Sequence, residues 1–350
     1  MTEPPAHPAR RWLFGAAVVF GIAAAIGVVL ALDPREVWRV ARSADPMWLA
    51  LSVVPVVARI GLWGGKFARM VGREHPLGPV AATRAVAAAT FLNLVTPTAK
   101  IAGGLYRAAD LRRRTGWRYS TAHGWVVADQ ITNALGLLAL YGVLALIPAE
   151  SHGDDATARA IRVSGVVALA LVAAWIAGRG RLWQGLTSAG SGGEPRDSRW
   201  GWLRARLERL LPPRNPATVP RPDPRPWHEA WLAPALERRQ GTKALLSDVA
   251  LGALPTVALC VANAWTFRAL GVDTPVSQVS MALVLGTIAG SVGGMGGIGL
   301  TEAALVALYA RLGIDGPVAA AAALLHRTTV YLVTLAWGAG AFFLSTTPKN

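Results

Sequence analysis

The stretch Gly293-Gly294-Met295-Gly296-Gly297-Ile298-Gly299-Leu300-Thr301-Glu302-Ala303-Ala304 lies between two strongly apolar runs, 276–292 and 303–313. Five glycines in seven residues cannot hold a helix, because each costs roughly 1 kcal/mol relative to alanine. Thr301 offers an N-cap and Glu302 a first-turn anion for a new helix. The chain therefore breaks, turns and restarts inside a region whose flanks belong in lipid. Irregular backbone at that depth is tolerated only where protein or a polar cavity covers it. The break is a candidate functional site.

Composition sets the class. The chain has 350 residues, 53% of them hydrophobic, and a mean hydropathy of +0.38. That describes a polytopic membrane protein. The formal charge of +15 would suggest nucleic acid in a soluble protein. Here the arginines gather in a few loops, as the positive-inside rule leads one to expect, and no recognition motif accompanies them. No nucleic acid is expected. Cys260 is the single cysteine, which rules out an intramolecular disulfide and a cysteine metal site.

Spans and loops alternate legibly. After Arg10 and Arg11, residues 12–32 form a first span, too long for a signal-peptide core. Residues 33–46 read as an amphipathic connector at the outer interface. Span 47–65 carries Arg59, which should face the bundle, and Lys66, Arg69 and Arg73 then mark a cytoplasmic loop. Residues 79–111 are broken at Pro97 and bounded by basic residues on both sides, so they read as a re-entrant hairpin from the cytoplasm. Span 120–147 leads to an acid-rich outer loop, 148–159, and span 160–178 returns. Residues 179–243 carry 13 Lys/Arg against 6 Asp/Glu and read as a basic cytoplasmic loop, partly disordered over 191–226, with 200–211 as a surface helix. Span 244–270, a second hairpin 276–312 entering from outside, and span 317–345 complete the chain. The expected fold is an all-α membrane domain over 1–350, with six full spans, two re-entrant hairpins and both termini cytoplasmic.

An internal repeat fits this layout. Gly104-Leu105-Tyr106-Arg107-Ala108-Ala109 lies on Gly299-Leu300-Thr301-Glu302-Ala303-Ala304, and Asp129-Gln130 falls against His326-Arg327. Segments 79–147 and 275–345 would then be inverted repeats, an architecture of transporters with a midplane site. Arg107 and Glu302 become equivalent, at hairpin tips that meet in the membrane. Arg107 and Lys100 are candidates for a lipid phosphate, and Glu302 for a cationic headgroup or a coupling proton. An Arg107–Glu302 pair that simply fastens the tips is the structural alternative. Asp129, Gln130 and Asn133 share a helix face, and His326 and Arg327 are polar in an apolar helix; such residues face a cavity or bond between helices. Gly294 to Gly299 match G-x-G-x-x-G with Asp315 downstream, but a dinucleotide site needs a soluble βαβ unit. No catalytic or metal motif and no ATP-binding loop is present, so neither an enzyme nor a cofactor is expected.

These residues carry a resemblance. The glycine turn with Gly299-Leu300-Thr301-Glu302-Ala303, and Asn93, Pro97 and Gly104-Leu105-Tyr106-Arg107-Ala108, resemble the lysylphosphatidylglycerol synthase transmembrane-region family, over roughly 12–345. The resemblance implies a flippase-like membrane domain, without the soluble synthase domain of the two-domain members. The family's acidic pattern after the first hairpin is diluted here to Asp129-Gln130-Ile131-Thr132-Asn133. The expected binding residues are Asn93, Lys100, Arg107, Asp129, Gln130, Gly296, Gly299, Thr301, Glu302, His326 and Arg327. The expected partners are membrane lipids: an anionic or aminoacylated phospholipid, or a polyprenyl-phosphate conjugate. A small-solute transporter, and a non-transporting membrane partner of a glycosyl- or aminoacyl-transferase, are the alternatives. Oligomeric state is not legible.

Overall fold

The computed structural model describes residues 33–96, 101–147, 155–189, 227–236, 241–292 and 299–346. Eleven helices form among them: α1 Pro34–Arg42, α2 Pro46–Val71, α3 Pro79–Val95, α4 Ile101–Thr115, α5 Tyr119–Leu146, α6 Asp155–Ala189, α7 Trp227–Leu236, α8 Gly241–Ala269, α9 Val276–Val292, α10 Leu300–Arg311 and α11 Gly316–Thr346. The chain is a polytopic all-α membrane protein. Five helices, α2, α5, α6, α8 and α11, are long and apolar enough to cross a membrane. They coincide with five of the six expected spans. The sixth, 12–32, and the glycine turn 293–298 lie outside the described residues, as do 97–100 and 190–226.

Local chemistry sets the helix ends. Pro34 and Pro46 open α1 and α2 at the position where a missing N–H costs nothing. Asp33 and Asp45 cap them, accepting from the backbone N–H of Arg35 at 3.0 Å and Met47 at 2.8 Å. Thr96, extended at φ −109° and ψ 136°, ends α3, as the residue before Pro97 must. The backbone N–H of Asp45 donates to the carbonyl of Ala269 at 2.7 Å, tying the start of α2 to the end of α8. Helix α1 buries Val37 and leaves Trp38 exposed.

Two elements differ from the reading of the sequence. Helix α2 continues through Lys66 and Arg69 to Val71, and Lys66 is buried instead of marking a loop. The reason is an internal carboxylate that accepts its charge. The basic loop is also shorter than 179–243. Helix α6 runs on to Ala189, and α7 forms inside the loop and packs on α5. There the Trp231 indole donates to His123 Nδ1 at 2.6 Å and stacks on its ring, which in turn stacks on Tyr119.

The two broken segments are built alike. Helices α3, α4 and α5 have 17, 15 and 28 residues; α9, α10 and α11 have 17, 12 and 31. Each short pair packs on itself and on the long helix after it. The first limbs then cross over: α3 packs on α11, and α9 on α5. Glycines permit the close approaches. A Cβ on Gly103 would lie 2.3 Å from the Ala89 carbonyl, and one on Gly338 would lie 2.7 Å from that of Ala87. Between α5 and α8, a Cβ on Gly136 would meet three backbone atoms of 249–253 at 2.5–2.7 Å. The buried apolar side chains accordingly form two main clusters. One gathers Ile60, Phe67, Val86, Leu111 and Trp125; the other gathers Phe267, Leu283, Leu305, Tyr309 and the alanines 319–323.

Candidate functional site: two buried ion clusters

The first cluster centres on Asp129 of α5, which is fully buried. Its Oδ2 accepts from Arg107 Nη1 of α4 at 2.6 Å and from the Trp63 indole of α2 at 2.8 Å. Lys66 of α2 brings its ammonium to 3.0 Å from Oδ1. It donates instead to the Asp129 carbonyl at 3.0 Å and to Asn133 Oδ1 at 2.6 Å. Arg107 lies over the rings of Trp63 and Phe67, 5.2 Å from each centroid, so its faces as well as its edge are engaged. Two cations thus share one carboxylate. A carboxylate this deep is stable only with such compensation.

The second cluster centres on Glu302 in the first turn of α10. Its Oε2 accepts the backbone N–H of Gly299 at 2.7 Å. Its Oε1 accepts from Arg327 Nε and from the Tyr331 hydroxyl, both on α11 and both at 2.8 Å. Arg327 Nη2 also donates to the Tyr331 hydroxyl at 2.5 Å, and its guanidinium lies 4.7 Å from that ring's centroid. The N-cap of α10 is Gly299, not Thr301. Gly299 adopts φ 85°, the left-handed region that glycine reaches without strain. Glu302 reaches back to its N–H, which is the carboxylate half of a capping box. Thr301 is buried in the same first turn, its hydroxyl against Gly290 of α9.

The expected residues separate on this geometry. Arg107 and Asp129 come together in the first cluster, and Glu302, Arg327 and Gly299 in the second. The Arg107–Glu302 pair, the structural alternative, does not form: Arg107 pairs with Asp129 and Glu302 with Arg327. Each of these two charges pairs with one on the long helix that follows it, with signs reversed: cation on α4 and anion on α5, anion on α10 and cation on α11. Asn93 closes the first hairpin, its Oδ1 accepting the N–H of Gly103 at 2.8 Å. Gln130 does not join Asp129. One residue further round α5, it is exposed and lies beside Gly104. His326 is buried at 1% exposure, and its Nδ1 has no hydrogen-bond partner among the described residues. Lys100 and Gly296 lie outside the described residues. Lys66, Trp63 and Tyr331 are the participants that sequence reasoning did not place. For Lys66 the signal was available, since it stands one heptad after Arg59 on the same face of α2.

Among the described residues, no group of three His, Cys, Asp or Glu side chains is placed to hold a metal ion. The class defined by fold and site is a multi-pass helical membrane protein, with two broken-helix units that each carry a buried ion cluster. The family model described as lysylphosphatidylglycerol synthase TM region matches residues 12–338, and the chain belongs to that family. Among curated proteins, none matches the chain.

Proposed function

We propose that this protein moves a lipid, or a lipid-linked headgroup, between leaflets, with the headgroup passing the two broken-helix units while the acyl chains stay in lipid. One observation carries the reading: charged side chains of α4, α5, α10 and α11 meet deep in an apolar bundle, at the middle of α4 and in the first turn of α10. Intramembrane ions are costly and mark substrate pathways. Supporting it, the short limbs of 17, 15, 17 and 12 residues reach only about 18–26 Å at 1.5 Å per residue. A hydrocarbon core is about 30 Å thick. That favours re-entrant limbs, and the matching lengths and reversed charges favour an inverted repeat. On this reading Arg107 and Arg327 meet the headgroup, and Asp129 and Glu302 hold them in place. The protein is a carrier and not an enzyme. It resides in the cell membrane with both termini cytoplasmic. Its partners are anionic, aminoacylated or polyprenyl-phosphate lipids, and transport is downhill or ion-coupled.

The test is leaflet exchange of labelled lipids of those three classes in proteoliposomes. Wild type is compared with Glu302→Gln and Arg107→Gln. Exchange that requires the protein and falls in both variants supports the reading. Exchange indifferent to both variants rejects the clusters as the pathway. Folded protein that exchanges no lipid rejects lipid transport, leaving a solute carrier or a transferase partner.

A further inference from the structure

Cations outnumber carboxylates around the two clusters. Lys66 and Arg107 share Asp129. Arg327 has Glu302, whose two oxygens are already taken by Gly299, Arg327 and Tyr331. Arg59 is left over. It lies partly buried within a helix apolar enough to cross a membrane, three residues from Val56, which shares a buried cluster with Val330 of α11; the groups of α11 that feel its charge are Arg327 and His326, neither of which can neutralise it. Among the described residues it has neither a carboxylate nor a hydrogen-bond acceptor. Close by, His326 keeps its own buried Nδ1 unpartnered.

Helix α2 relates this surplus to both clusters. Arg59 and Lys66 are seven residues apart on it, which at 3.6 residues per turn puts them on one face and roughly 10 Å apart along the axis. That helix touches both α5 and α11. A guanidinium without a partner among the described residues, within electrostatic reach of a second guanidinium and an unpartnered imidazole nitrogen, is a fork of donors lacking an acceptor.

We infer that Arg59 is the primary ligand of an oxyanion site of phosphate type, completed by Arg327 and His326 at the junction of α2 and α11. A phosphate presents several acceptor oxygens, which suits paired guanidinium groups better than a single-atom anion does. The negative charge it brings offsets the surplus cation. Identifying this anion with the phosphodiester of a transported headgroup rests on the transport reading above; the site itself does not.

The experiment uses the full chain in neutral maltoside micelles, with wild type, Arg59→Gln and Arg59→Lys. The probes are dihexanoylphosphatidylglycerol and inorganic phosphate. Binding is read by native mass spectrometry, and stability by thermal melts without probe. Arg59→Gln should melt at or above wild type, because it removes an unneutralised charge. It should weaken probe binding by at least about tenfold, with Arg59→Lys intermediate, since lysine keeps the charge and loses the fork. Binding of the lipid alone assigns a headgroup as the source; equal binding of phosphate assigns a free anion. Either result keeps the site. The site is overturned when neither probe binds wild type, when Arg59→Gln binds as well as wild type, or when Arg59→Gln melts clearly lower. The last outcome would make Arg59 a structural partner. Arg59-dependent binding without lipid exchange in proteoliposomes rejects the transport reading and keeps the site. Exchange unaffected by Arg59→Gln, with binding still Arg59-dependent, keeps the site and transport and rejects the identification of the bound anion with the transported headgroup.

Discussion

Asp129→Asn should be the most destabilising single substitution in the first cluster, far more so than Lys66→Met. The carboxylate faces Lys66 at 3.0 Å and Arg107 at 2.6 Å. At an effective dielectric near 20, each contact is worth roughly 6 kcal/mol of gross attraction. Burial has already taken most of that in desolvation. Removing the shared anion leaves two buried cations facing each other, and breaking such a pair costs about 3–5 kcal/mol. Bonds between membrane helices tend to fall short of that range, so about 3 kcal/mol is the working figure, roughly a 150-fold shift in the folding equilibrium. Lys66→Met removes the surplus cation and leaves Arg107 paired with Asp129. Its main loss is the bond to Asn133, and it should stay within about 1 kcal/mol of wild type. The double variant removes the repulsion between the two cations but leaves Arg107 without its carboxylate, so it should recover only part of the loss. The assay is thermal unfolding in maltoside micelles, followed by tryptophan fluorescence. Lys66→Met costing as much as Asp129→Asn would refute the charge argument. So would a double variant no more stable than Asp129→Asn alone.

Other outcomes follow from the packing. Gly136→Ala should lower stability by about 1–3 kcal/mol, because the new methyl meets backbone of α8 that cannot rotate aside. Gly340→Ala, where a Cβ meets nothing within 4 Å, should leave the melting temperature unchanged in the same assay. Glu302→Ala should raise amide exchange in the first turn of α10, read by hydrogen–deuterium exchange, because Gly299 N–H loses its acceptor; lost caps cost about 1 kcal/mol. Trp231→Ala should free α7 from α5, so limited proteolysis should cut the 190–240 region faster. Trp231→Phe, which keeps the ring and loses the bond to His123, should show a smaller increase.

The spans were legible because lipid demands long apolar runs, and α2, α5, α6, α8 and α11 have them. The breaks were legible because Pro97 and the glycines cannot continue a helix. What the sequence concealed was partnership. Lys66 closes an apolar run and so looked like a flank, since its carboxylate stands 63 residues away on another helix. Arg107 and Glu302 invited pairing because the expected repeat aligns them. In the structure each instead finds its partner on the long helix that follows its own. Thr301 is a better N-cap than glycine by propensity. The turn needed a positive φ, and Glu302 supplied the acceptor, so the cap moved to Gly299. Gln130 shows the limit of adjacency on a helix: a step of 100° takes it out of the cluster that holds Asp129.

The crossed packing of α3 on α11 and α9 on α5 has a consequence for assembly. Helix α3 leaves the ribosome well before the surface that covers Phe91 and Ala87, which belongs to Gly338 and its neighbours, about 250 residues further along the chain. The Asp129 cluster, by contrast, draws only on residues between Trp63 and Asn133 and can close as soon as α5 is inserted. Synthesis should therefore yield an ion-paired but half-covered first unit that waits in the membrane for its other half. Contacts so distant in the chain are slow to form. Truncation before α11 should leave a protein held by its ions and open along α3, a species prone to capture by quality control.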